Sequence, residues 1–90
     1  MIQVFSREPT PTPRLISVGA FFDRFKPYKL NILADQTPLV KAVILDASVR
    51  GFIDLDNPDL PGGIQVLKAA GHAVDEDFII NGAIQYNEIP

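Results

Sequence analysis

The sequence predicts a mainly α fold: a small orthogonal helical domain of four or five short helices, with a minor two-stranded β-ribbon and an extended N-terminal arm. Three observations predict it. Residues 37–51 carry complete start, body and stop signals for one helix; shorter apolar runs on either side recur at helical spacing between turn-forming residues; and Pro9, Pro11 and Pro13 set the first residues apart from the rest of the chain. Thr37 is placed to cap the central helix, Pro38 suits the first position where no amide hydrogen is needed, and Gly51 suits the left-handed conformation that ends a helix. Projected at about 100° per residue, Leu39, Val40, Ala42, Val43, Ile44, Leu45, Ala47 and Val49 spread round most of the circumference. Such a helix calls for cover on more than one face, from the rest of the chain or from a second copy.

The N-terminal residues come first. Ile2 and Val4 alternate with Gln3, which predicts a short strand over residues 1–6. The alternate prolines exclude helix and favour an extended spacer, so residues 1–16 read as an arm, either a leader or a segment that docks on a neighbouring subunit. Ser17 caps a helix over residues 18–25, with Phe21, Phe22 and Phe25 inward and Asp23 and Arg24 toward water. Pro27 opens the next helix, to residue 34, with Tyr28, Ile32 and Leu33 inward. After Gly51, Phe52-Ile53-Asp54-Leu55 reads as a short strand, and Asn57 or Asp59 starts a helix to residue 70 whose inner face is Leu60, Ile64, Leu67 and Ala70. Gly71 ends it. His72-Ala73-Val74 is expected to pair with the 52–55 strand, Asp75 to cap a last helix stopped by Asn81-Gly82, and residues 83–90 to form a C-terminal extension to the 17–82 domain.

Size and composition narrow the functions. Ninety residues make one domain, which buries only about 60–65% of the surface of its extended chain, too little for a large enclosed pocket within one subunit. With 47% hydrophobic residues the chain has the material to fold. The absence of cysteine removes disulfides, thiolate metal sites and cysteine nucleophiles. Residues 1–6 lack the basic start and apolar run of a signal peptide, and no run approaches the ~20 apolar residues that span a bilayer, so the expectation is a cytoplasmic protein without a membrane partner. The net charge of −3 disfavours general nucleic-acid binding. It is also divided: residues 1–50 balance at +3 and residues 51–90 at −6, a complementarity usable within one chain or between subunits.

No chemical motif stands out. Asp54, Asp56, Asn57 and Asp59 offer oxygen ligands for calcium, but Pro58 stands where a further ligand is needed and Gln65 where an EF-hand requires glutamate. His72 is the sole histidine, and Ser6, Ser17 and Ser48 are too dispersed to nominate a nucleophile for it. Gly62-Gly63 lies in no phosphate-loop pattern. Arg7, Arg14, Arg24, Lys26 and Lys29, interleaved with Phe22, Phe25 and Tyr28, are a mixture that single-strand platforms use, diluted here by Glu8 and Asp23.

The order Ser17, Phe21 with Arg24-Phe25, Asp46 in the central helix, Phe52-Ile53-Asp54-Leu55, then Gly63-Ile64 through Leu67 to Ala70-Gly71 resembles a group of small proteins encoded in phage and prophage tail-gene regions. The resemblance covers residues 17–74 and implies a mostly helical accessory of virion assembly, made in the bacterial cytoplasm and virion-associated. It brings no catalytic or binding residues with it. The expected function is therefore a non-enzymatic structural or protein-interaction accessory, without cofactor or metal, that forms a homo-oligomer, most simply a dimer. Ile2, Val4, Phe5, Pro9, Pro11, Pro13, Tyr86 and Ile89 are its candidate interface residues. Two alternatives stand beside it: a nucleic-acid-binding regulator with contacts at Arg24, Lys26 and Lys29, and a metal-assisted enzyme or calcium module at Asp54, Asp56 and Asp59.

Overall fold

The computed structural model describes residues 13–90. Its elements are β1 (Leu15–Ile16), α1 (Val18–Asp23), α2 (Lys29–Leu33), α3 (Pro38–Ser48), β2 (Ile53–Asp54), α4 (Leu60–Ala69) and α5 (Glu76–Asn81), followed by a single 3-10 turn, Tyr86–Glu88. Five helices and one antiparallel two-stranded ribbon, not closed into a barrel, are the mainly helical class that the sequence predicts. The strand expected over residues 1–6, with Pro9 and Pro11, lies outside the described residues.

The ribbon joins different partners from those expected. β2 pairs with β1, Leu15 opposite Asp54 and Ile16 opposite Ile53, and the Leu55 amide donates to the Arg14 carbonyl at 2.9 Å. Arg14 reinforces the register by donating to Asp56 at 2.8 Å and to the Ile80 carbonyl at 2.9 Å. Residues 14–16, expected in the arm, therefore belong to the body. The 72–74 segment is not available as a strand, because the Val74 amide donates to the His72 carbonyl two residues back and buries the Val74 side chain.

Local signals set three of the helix ends. Ser17 accepts from the Ala20 amide at the start of α1, and Asp75 accepts from the Phe78 amide at the start of α5. At the end of α4, Gly71 sits at φ 99°, with its amide on the Lys68 carbonyl and the His72 amide on that of Leu67; this paired closure uses the left-handed glycine. Gly51 does not play that part for α3. The helix closes in right-handed conformation at Val49, whose amide donates to the Leu45 carbonyl at 3.2 Å. Thr37 precedes α3 but gives it no side-chain cap. Its own amide donates instead to Asp35 Oδ1 at 2.7 Å.

The core gathers one or two side chains from every element: Ile16, Phe21, Ile32, Val40, Ala47, Ile53, Ile64, Leu67 and Ile79, with Phe25, Leu55 and Val74 from the connections. Phe21 and Phe25 meet edge to face, centroids 5.0 Å apart, as packed aromatic rings favour. Of the inward residues expected of α2, only Ile32 is buried; Tyr28 and Leu33 are exposed because this helix of little more than one turn presents a single residue to the core. α3 is likewise covered on one side only. Val40 and Ala47 are buried, while Leu39, Leu45 and Val49 are 66%, 65% and 73% exposed.

Candidate functional site

An open hollow of about 500 Å³, lined mostly by Lys68, Asp75, Glu76, Asp77 and Asn81, is polar; a smaller, apolar groove of about 270 Å³ runs between α3 and α4. Phe21, Phe25 and Ile53 line it from below, Leu39, Ala42 and Val43 from α3, and Leu60, Gly63, Ile64 and Leu67 from α4. Two sequence features keep it open. Gly63 puts no side chain into the space, where a Cβ would already touch Val43 Cγ1 at 3.5 Å, and Ala42 adds only a single methyl to the lining. Polar groups lie at the edge: Asp46 and Arg50, one helical turn apart and paired at 3.1 Å, and Asp54, Asn57 and Asp59. Among the described residues Asp59 has no ion-pair partner and does not cap α4. The groove is thus an apolar trough with an acidic end, below the ~300–1,000 Å³ of typical small-molecule sites and of a size for a few side chains.

On the opposite side the basic residues are already engaged. Arg24, placed toward water by the sequence and nominated for nucleic acid, is only 5% exposed. Its Nε and Nη2 donate to the two Glu88 oxygens at 2.8 Å each, and Nη1 donates to the carbonyls of Ile79 at 2.9 Å and Gly82 at 3.0 Å, closing the C-terminal end of α5. The Arg24 guanidinium beside Glu88 holds that carboxyl below its usual range. Gly82 is needed for close approach, since a Cβ there would sit 2.5 Å from the Phe78 carbonyl and 3.3 Å from Arg24 Nη1. Arg24 therefore fastens the C-terminal turn to α1 and has no face left for a phosphate. Lys29 is paired with Asp23, with Lys26 3.9 Å from the same carboxylate. What the sequence misses here has a trace in it: an arginine among Phe21, Phe22 and Phe25 lies on the helical side that must be buried.

The remaining candidates are also accounted for. Asp54 Oδ1 accepts from the Asp56 amide and Asn57 Oδ1 from the Asp59 amide, both at 2.9 Å, while Asp56 takes Arg14. These are turn-forming bonds, and among the described residues no group of three or more His, Cys, Asp or Glu is placed to hold a metal ion. His72 Nε2 lies 2.7 Å from Asp35 Oδ2, tying the α4–α5 connection to the α2–α3 connection. Hydrogen bonds from Thr37, then from His72, lower the Asp35 carboxyl to about 2. No serine among the described residues completes a catalytic array: Ser17 caps α1 and the Ser48 hydroxyl donates to the Ile44 carbonyl.

Of the interface candidates, Ile2, Val4, Phe5, Pro9 and Pro11 lie outside the described residues. Pro13, Tyr86 and Ile89 are exposed, Tyr86 at 91%. The groove residues Leu39, Ala42, Val43 and Gly63 were not singled out by sequence as a site; the signal for them is the apolar circumference of α3, too wide for one covering layer. No described helix is long and apolar enough to cross a membrane. No protein-family model matches this chain, and neither a curated protein nor a solved structure matches it, which leaves the groove's own chemistry as the ground for a functional reading.

Proposed function

We propose that this chain is a non-enzymatic structural or interaction accessory that assembles with copies of itself, and that the uncovered side of α3 with the adjoining groove is where assembly takes place. One observation carries the reading: a helix apolar round most of its circumference is buried on one side and leaves Leu39, Leu45 and Val49 in solvent beside an open apolar trough. Contiguous apolar surface of this kind is what interfaces bury, and a small domain gains disproportionately from sharing it. The arrangement of reactive groups agrees, since His72, Ser17, Ser48 and the acid side chains other than Asp59 in the described residues are engaged mostly in caps, turns and ion pairs. The setting implied by the resemblance around Phe52-Ile53-Asp54-Leu55, phage tail assembly with the protein made in the bacterial cytoplasm and carried into the virion, belongs to this proposal.

Size-exclusion chromatography with light scattering over micromolar concentrations tests it. A mass at a multiple of 9.9 kDa that rises with concentration is expected. A strictly 9.9 kDa species at every concentration would remove self-assembly from the reading.

A further inference from the structure

We infer that the α3–α4 groove is filled by the N-terminal segment Ile2–Phe5 of a second copy of this chain, so that two subunits exchange arms. The inference rests on the self-assembly reading above and adds its occupant and its geometry. The groove asks for a short apolar segment: its volume suits a few side chains, its walls are Leu39, Val43, Leu60 and Ile64, and it is open to solvent. Within this chain, Ile2, Val4 and Phe5 are three large apolar residues outside the described body, and in any extended conformation at least two of them share a side. Charge supports the fit. Arg7 comes two residues after the apolar group, and the acidic end of the groove offers Asp59, which has no ion-pair partner among the described residues, beside Asp54.

Chain direction favours exchange over return to the same body. β1 runs antiparallel to β2, so going backward from Leu15 the chain passes Leu55 and then Asp56, where Arg14 is anchored, next to the Asn57 end of the groove. The α4 wall from Leu60 to Leu67 is only about 10 Å long at 1.5 Å per residue. At 3.1 Å per residue the extended reach of residues 9–13 is about 15 Å, already longer than the groove. Seating Ile2–Phe5 in the same subunit would need a reversal within Ser6, Arg7 and Glu8. Seating it in a neighbour needs none, and a reciprocal pair closes as a two-fold dimer.

Complementation between two variants of the full chain tests this. The first replaces Ile2, Val4 and Phe5 together by serine, removing the apolar arm while keeping the groove; the second is Ala42→Glu, which puts a charge at the groove on an exposed helical position. Circular dichroism checks that each is folded, and Ala42 lies outside the buried core. Each variant alone is expected to self-associate at least tenfold more weakly than the parent chain, and an equimolar mixture to recover a 1:1 heterodimer in light scattering, because the intact arm of one meets the intact groove of the other. The heterodimer regains one of the parent's two arm–groove contacts, so a mixture that associates no better than either variant alone, while the parent dimerises, overturns exchange. So do variants that dimerise as well as the parent, which would leave self-assembly standing but move it off the groove. A parent chain that is monomeric throughout overturns both.

Discussion

Around Arg24 the domain closes with polar bonds, whereas along α3 it stops with apolar side chains still in solvent. Arg24 gathers Glu88 and the carbonyls at the end of α5, so that a charge 5% exposed has every donor answered and the C-terminal turn is locked to α1. Neither Leu39 nor Leu45 on α3 has an equivalent cover. The difference teaches how a chain this short distributes its material. One core layer suffices to bury the inner side of each helix, a single arginine fork can then seal one flank, and the flank richest in apolar surface stays in solvent.

The largest way to break this contrast is Arg24→Met. It leaves Glu88 and at least two carbonyls without their donor in a site shielded from water, and breaking a buried pair in this way costs about 3–5 kcal/mol, a large share of the stability of a domain of this size. Urea denaturation followed by circular dichroism measures it. The groove variant Ala42→Glu should leave the midpoint of the isolated subunit nearly unchanged, because Ala42 is exposed. Equal losses in the two variants would mean that the Arg24 flank is not the closed one.

Acid tests the same flank. Glu88 is lowered by its hydrogen bond from Arg24, and Asp35 is lowered to about 2 by hydrogen bonds from Thr37 and His72. Both carboxyls therefore bind protons more readily in the unfolded chain. Their stabilising share is complete above the ordinary carboxylate range and is lost as pH falls through it toward about 2. The urea midpoint should hold between about pH 7 and 5 and drop below about pH 4, with the Glu88 share of the drop missing in Glu88→Gln. A midpoint flat down to about pH 3 would contradict the pairing of Glu88 with Arg24.

How much of this is legible in the sequence depends on how far apart the partners lie. Ser17, Asp75 and Gly71 do what their positions announce because each bond spans only a few residues of the same turn. The partner of β2 is not legible: strands of two residues carry no pattern by which to choose between Leu15–Ile16 and the 72–74 segment, and the choice falls to Arg14, 42 residues from Asp56. Arg24 is misplaced by sequence for the same reason, since its partner Glu88 is 64 residues away. The groove needs α3 and α4 side by side before Gly63 and Ala42 can be seen to leave it open. Thr37 shows a local signal outcompeted by another local signal, its hydrogen bonds going to Asp35 two residues earlier instead of to the helix.

The caps give a smaller, sharper comparison. Ser17→Ala and Asp75→Ala each remove a side-chain acceptor from a helix amide and should cost about 1 kcal/mol. Thr37→Ala removes no cap from α3, so it should cost clearly less than either in the same assay. A full cap penalty at Thr37 would show that its hydroxyl serves α3 in solution.

The smallest expected effect is at Leu45, on the exposed side of α3 and outside the groove lining. Leu45→Ser should change the stability of the isolated subunit by no more than about 0.5 kcal/mol, as for other surface positions. The informative measurement is in the assembled state. If arms fill the grooves, Leu45 stays in solvent after association and Leu45→Ser leaves the dimer dissociation constant where it was. If the substitution weakens the dimer about tenfold, about 1.4 kcal/mol, then the outer side of α3 is the buried one, and the apolar circumference of this helix is covered by helix-to-helix packing between subunits instead of by an exchanged arm.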